Sequence, residues 1–340
     1  MEIQKKSISK ASLQKLIEKL NANGRKIIAP VKKENLVEFG FISGLEQMAE
    51  DYILTNQSAK SAAFPKFEKL FSYEVTKNGI TQSDSGNTEF PELVLLGVRP
   101  CDADGFTSLS AIFTWDYHDT QYTDRLNKTT LISISCSKCD DYCFCTSVDG
   151  HPGNTKGSDI QLTRLESGDY LAEIITEKGI TVMNLAPELF ANAPAVEKEK
   201  YLALVPSRFK AGEIAGKIKS LFENDIWIEQ SLRCLGCGAC AFVCPACACF
   251  DIQDESKGKN GIRLRCWDSC GFSLFTLHTS GHNPREVQSQ RWRQRLMHKF
   301  SYMPERLDVL GCVGCGRCSR ACPVDMNIME HLINISEVQA

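Results

Sequence analysis

Residues 234–245 read Cys234-Leu-Gly-Cys237-Gly-Ala-Cys240-Ala-Phe-Val-Cys244-Pro245, and residues 312–323 repeat the pattern as Cys312-Val-Gly-Cys315-Gly-Arg-Cys318-Ser-Arg-Ala-Cys322-Pro323. Both fit C-x2-C-x2-C-x3-C-P, the bacterial run that ligates [4Fe–4S] clusters. Three cysteines in one tight loop wrap three corners of a cubane. Gly236, Gly238, Gly314 and Gly316 let the backbone come close and turn through positive φ, so that N–H groups point at sulfur. Proline is favoured at a first helical position, which predicts that Cys244 and Cys322 open helices. A pair of zinc sites, each held by a cysteine quartet, is the competing reading. Zinc motifs usually join one C-x2–4-C pair to a distant second pair, and two full runs ending in proline do not look like that.

In two-cluster proteins the fourth cysteine of each run serves the other cluster. The expected ligand sets are Cys234, Cys237, Cys240 and Cys322 for one cluster, and Cys312, Cys315, Cys318 and Cys244 for the other. Just beyond the first run come Cys247 and Cys249, then Cys266 and Cys270 in Arg265-Cys-Trp-Asp-Ser-Cys270-Gly271. They suggest a third metal site, a further [4Fe–4S] cluster ahead of zinc. Cys247, Cys249 and Cys270 are its firmer ligands and Cys266 a weaker one. Packed free cysteine is the plain alternative. Gly236-Cys-Gly-Ala-Cys-Ala241 also matches a dinucleotide pattern, but no strand precedes it and its cysteines are already used.

Upstream, the patterning is mixed. Leu13, Leu16, Ile17 and Leu20 recur at helical spacing within residues 9–23, and residues 211–223 carry a second such face. Strands are expected at Lys26 to Val31, Leu93 to Val98, Leu131 to Ser135 and Tyr170 to Thr176. The second of these runs into Cys101 and the third into Cys136, Cys139, Cys143 and Cys145, where α/β sheets gather their sites. Cys101, Cys143 and Cys145 are candidates for a further cluster, for completing the third one, or for a redox thiol pair, and reduced cysteines packed in loops are the plain alternative. Asp102, Asp104 and His118 read as loop or cap residues rather than acid–base groups. Residues 285–300 form a basic bridge with Arg285, Arg291, Arg293, Arg295 and Lys299. A solvated face is the default expectation for it. The sharper one is a docking face, or a positive field that raises cluster potentials.

The chain's 340 residues suffice for two or three domains. Its net charge of −3 gives no reason to expect nucleic acid or an anionic membrane as partner. No apolar run reaches the length of a membrane span, and the N-terminus lacks a signal-peptide pattern. The odd number of cysteines, 17, in tight clusters reads as metal binding in a reducing compartment, so a cytoplasmic protein is expected. The expected architecture is an α+β or α/β N-terminal domain over residues 1–228. An α-helical ferredoxin-like module with two or more [4Fe–4S] clusters follows over residues 229–340.

The combination of motifs carries a resemblance over nearly the whole chain. It includes Ile28-Ala-Pro30, Gly97-Val-Arg-Pro-Cys101-Asp102, Cys143-Phe-Cys145-Thr-Ser, Cys247-Ala-Cys249-Phe-Asp251, Trp267-Asp-Ser-Cys270 and Gly281-His-Asn-Pro-Arg285, beside the two cluster runs. The sequence resembles the iron–sulfur beta subunit of soluble sulfhydrogenase-type nickel–iron hydrogenases. It is about equally similar in pattern to the A subunit of anaerobic sulfite reductase, within one 4Fe–4S dicluster family. Cys266 does not match a family position. The resemblance implies an electron-relay subunit of an oxidoreductase complex, with no substrate-converting site of its own. A flavin subunit oxidises NAD(P)H and a separate catalytic subunit, nickel–iron hydrogenase or sulfite reductase, does the chemistry. A cluster-fed thiol/disulfide reductase using the Cys143–Cys145 pair is a further alternative.

Overall fold

Two short, buried strands lie at the centre of the molecule. In the computed structural model, which describes residues 2–83 and 89–338, Leu93–Val98 and Thr129–Ile134 are adjacent parallel strands. Both are buried almost throughout, as strands of a parallel sheet covered on two faces must be. Numbered along the chain, the strands are β1 (Gln4–Ile8), β2 (Lys26–Lys33), β3 (Leu36–Ile42), β4 (Phe67–Thr76), β5 (Gly79–Ser83), β6 (Leu93–Val98), β7 (Thr129–Ile134), β8 (Ile160–Arg164), β9 (Tyr170–Ile174), β10 (Ala191–Asn192), β11 (Phe250–Lys257) and β12 (Asn260–Trp267). The larger sheet has the order β10-β1-β9-β8-β7-β6-β2-β3. Its inner pairs β2–β6, β6–β7 and β7–β8 are parallel.

The first helix, Lys10–Ala22, begins where the Ser9 side chain accepts the N–H of Ser12. It buries Leu13, Leu16, Ile17 and Leu20 against Ile27, Val94, Ile132 and Ile174 of the sheet. Each such side chain contributes about 1.5–3 kcal/mol of burial. On the other face, helix Pro100–Phe113 packs Phe106, Leu109 and Phe113 against Phe64, Tyr122 and Trp267.

The chain does not divide cleanly near residue 228. The smaller sheet, β11-β12-β4-β5, takes two strands from each side of that point. Arg265 on β12 is buried and pairs with Glu68 on β4 and with Asp119. The C-terminal core mixes both parts as well. Ile214, Ile218, Trp292, Leu296, Phe300 and Leu332 pack with Phe144 and Val148 from the loop after β7. The basic bridge is α-helical over Gln288–Met297 and continues through a π-helical turn, His298–Tyr302. Among the described residues, no helix is long and apolar enough to cross a membrane.

Candidate iron–sulfur sites

In both cysteine runs the second glycine has left-handed φ, +76° at Gly238 and +68° at Gly316, and stands immediately before a four-residue helix. Those helices, Ala239–Phe242 and Arg317–Arg320, carry the third cysteines, Cys240 and Cys318. The expectation that the fourth cysteines open helices is corrected by this arrangement. Cys244 and Cys322 follow the helices and enter turns; the next helix after Cys322 starts only at Ile328. Asp325 turns through left-handed φ, and the Met326 N–H is spent on the Cys322 sulfur at 3.2 Å, so no helix propagates from Pro323.

One cavity gathers Cys234, Cys237 and Cys240 of the first run with Cys318 and Cys322 of the second, and Arg291, Trp292 and Arg295 complete its wall. Gln288 Nε2 donates to Cys234 Sγ at 3.0 Å. Sequence-distant cysteines thus meet here, and the backbone and amide donors already point at sulfur. Around the second run, Lys299 Nζ donates to Cys244 Sγ at 3.4 Å and also faces Cys312. Burial pushes the Cys312 thiol up, and pushes that of Cys318 to about 12. Metal ligation must remove these protons.

Cys247, Cys249 and Cys270 line a second cavity of about 250 Å³, together with Arg285, Arg295, His298 and Lys299. Arg295 Nη1 lies 3.6 Å from Cys247 Sγ. The Cys270 thiol is drawn down to about 6, first by its hydrogen bond with Cys249 and further by the Arg295 charge. Cys247 is also held well below the ordinary thiol range, by its hydrogen bond with Cys244 and then by Lys299 and Arg295. Low thiol pKa and nearby cations are the setting that favours thiolate. Cys266 lies elsewhere: it pairs with Asp251 and Phe67 in the smaller sheet, and its charged neighbours are Asp251 and Glu255.

The N-terminal cysteines collect at the carboxyl ends of β6 and β7. Cys101 sits in the first turn of helix Pro100–Phe113, and its electrostatic neighbours include Asp102, Cys315 and Cys136. Cys145 faces Cys136 and Cys143. The loop that carries Cys143 and Cys145 presses on the second cluster run, where Phe144 N donates to the Gly314 carbonyl at 2.9 Å. Two arginines of that run bind across the same contact. Arg317 pairs with Asp102 at 2.7 Å, both fully buried, and Arg320 pairs with Asp140 and reaches Cys143 Sγ at 3.4 Å. Asp102 is therefore a buried counter-ion and not a loop or cap residue. No local pattern could have found its partner, 215 residues away. Asp104 pairs with Lys156, and His118 Nε2 hydrogen-bonds with the Thr123 hydroxyl.

The basic bridge departs from the solvated face expected of it. Arg295 and Lys299 are buried, 4% and 3% exposed, and point at cysteines. Lys60, which sequence reasoning passed over, is equally buried and donates to the carbonyls of Ala241 and Cys247 at 3.0 Å each. All 17 cysteines are free of disulfides. Among the described residues, no group of three or more His, Cys, Asp or Glu side chains converges on a single-ion site. The cysteines instead line cavities walled by buried cations, a donor set and charge balance that fit an anionic thiolate-ligated cluster.

The 4Fe–4S dicluster domain model matches residues 233–326. Sulfhydrogenase 2 subunit beta of Pyrococcus furiosus is 29% identical over 323 residues, which cover 92% of each chain. No solved structure matches. With the cysteine geometry above, residues 233–326 read as a 4Fe–4S dicluster domain, and the chain as a whole is similar to a sulfhydrogenase beta subunit.

Proposed function

We propose that this chain is the electron-relay subunit of a cytoplasmic multisubunit oxidoreductase. It carries single electrons between a flavin subunit that oxidises NAD(P)H and a catalytic subunit of nickel–iron hydrogenase type. The observation that carries the reading is the cavity in which Cys318 and Cys322, from the second run, stand with Cys234, Cys237 and Cys240 of the first. Two interlocked runs hold two redox centres close together, which a relay requires. The ligand sets are Cys234, Cys237, Cys240 and Cys322 for one [4Fe–4S] cluster, and Cys312, Cys315, Cys318 and Cys244 for the other. Cys247, Cys249 and Cys270 hold a third. When bound, such clusters accept and release one electron at a time. The chain's own groups orient and screen them: Gln288 and the Met326 N–H bind sulfur, and Arg295 and Lys299 supply buried positive charge. Residues 1–228 and 229–340 act as scaffold and electron-transfer part, joined through the shared sheet.

The hydrogenase-type partner is preferred to a sulfite reductase because the full-length relative is a sulfhydrogenase beta subunit. A thiol/disulfide reductase at Cys143 and Cys145 is disfavoured. Burial pushes their thiols to about 11 and about 12, opposite to what a thiolate nucleophile needs. The test is anaerobic mixing of the cluster-loaded chain with NADPH, followed by visible absorbance. A nicotinamide delivers two electrons as hydride while a cluster takes one, and a flavin bridges that mismatch. Bleaching is expected only after a flavoprotein is added. Rapid bleaching by NADPH alone would overturn the reading.

A further inference from the structure

The interior around the cysteines holds an unusual balance of charge. Arg317 and Arg320, beside the N-terminal cysteines, are each neutralised by a carboxylate, Asp102 and Asp140. Arg295, Lys299 and Lys60 are also deeply buried, yet none of them forms an ion pair among the described residues. Their partners are sulfur and carbonyl oxygen. Arg295 Nη2 donates to the Cys240 carbonyl at 2.9 Å, Arg295 Nη1 approaches Cys247 Sγ, and Arg295 Nε is buried without a hydrogen-bond partner among the described residues. Lys299 is shared between Cys244 Sγ and the Gly311 carbonyl. Lys60 sits over the Trp267 ring at 4.0 Å and donates to two carbonyls, those of Ala241 and Cys247.

An unpaired buried cation is costly, and proteins retain one where an anion belongs. Like charges four residues apart on a helix repel, and Arg295 and Lys299 stand at that spacing. Both line the cavity of Cys247, Cys249 and Cys270, and Arg295 also lines that of Cys234, Cys237 and Cys240. Arg285 and His298 add to the wall of the former, and none of the residues lining it is acidic.

Building on the relay reading, we propose that Arg295 and Lys299, backed by Lys60, form a cationic core that makes the Cys247–Cys249–Cys270 site the electron sink of this chain. Each electron added to a thiolate-ligated cluster increases its negative charge. Fixed positive charge at a few ångströms in a poorly screened interior stabilises the reduced state and raises the midpoint potential. The neutralised pairs near Cys101 and Cys143 leave that end without a comparable field. Electrons entering at either end collect at the cationic centre. The cations are positioning residues, acting on the cluster through their charge.

The experiment is an anaerobic redox titration of the full chain, followed by electron paramagnetic resonance. The signal lost in Cys270→Ser, or in Cys249→Ser should that variant load poorly, marks the third site. In the wild type this signal is expected to have the highest midpoint. Lys299→Met and Arg295→Gln should each lower it by at least tenfold in the reduction equilibrium, about 59 mV for one electron. Lys299→Arg, which keeps the charge, should hold it near the wild-type value. Lys60→Met, on a different segment, provides a second neutral variant if the helix variants fail to load. A purely structural role for the cations predicts lost clusters with unmoved potentials in what remains, and that result overturns the proposal. So does a wild-type third-site signal that is not the highest. About eight irons per chain, the content of two cubanes, with intact electron relay would remove this inference and leave the relay reading standing; absence of any cluster signal would remove the relay reading itself.

Discussion

Gly236 and Gly314 occupy the same position in the two cysteine runs and have the same left-handed backbone, φ +66° and +65°. An alanine at either costs about 1–2 kcal/mol for that conformation alone. Their surroundings differ. A methyl at Gly236 would lie 3.1 Å from Gln288 Oε1 and from the Gly271 carbonyl, and the Gln288 end can move aside. A methyl at Gly314 would lie 2.5 Å from Cys145 N and Cα and 2.6 Å from Phe144 C, all backbone. Ordinary carbon contacts are about 3.5–4.0 Å, so the Cys143–Cys145 loop must retreat by about 1 Å. Overpacking of that kind adds about 1–3 kcal/mol, and the Phe144–Gly314 hydrogen bond is strained with it. Gly314→Ala is expected to lose about 2–5 kcal/mol, and Gly236→Ala about 1–2 kcal/mol. The assay is anaerobic guanidinium unfolding of the loaded protein, with parallel alkylation of Cys143 and Cys145 under native conditions. Gly314→Ala should unfold at lower denaturant and expose those two thiols, whereas Gly236→Ala should leave them protected. Equal unfolding midpoints and equal thiol protection in the two variants would refute the close seating of the second run on the N-terminal loop.

On the proposed crossed ligation, Cys322→Ser should damage the cluster assigned to Cys234, Cys237 and Cys240, whose cavity Cys322 lines together with Cys318. An experimental structure with Cys322 bound beside Cys312, Cys315 and Cys318 would contradict it. Metal and acid-labile sulfide analysis of anaerobically purified protein should give about twelve irons per chain for three cubanes, against about eight for two. Stoichiometric zinc with little sulfide would sink the iron–sulfur assignment.

Much of this molecule was legible along the chain because the relevant forces act within a turn or two of backbone. Helical spacing of Leu13, Leu16, Ile17 and Leu20 placed the first helix, found at Lys10–Ala22. The run Leu93 to Val98 is a buried strand over the same residues. Cysteines three apart with glycine between them specify a loop that wraps a cluster whatever surrounds it, and the matching dicluster domain covers both loops. The short helices before Cys244 and Cys322 escaped the reading because a proline signal is weaker than a left-handed glycine several residues earlier and the demands of the turn that follows.

Other features depended on chain topology, which spacing does not encode. Parallel pairing of β6 with β7 brings Cys101 to Cys136. The strand pairing of β12 with β4 draws part of the C-terminal half into a sheet with the N-terminal half and carries Cys266 away from the other cysteines. The burial of Arg295 and Lys299 reverses the ordinary expectation for a basic helix, because the neighbours that offset their charge are cysteines and carbonyls from other segments. The Asp102–Arg317 pair joins residues 215 apart. Sequence alone singled out the cysteines suited to iron ligation, since that suitability depends on side-chain chemistry and local loop geometry. Only the tertiary structure decided which of them meet, and with what charge around them, since burial and electrostatic pairing are properties of packed segments.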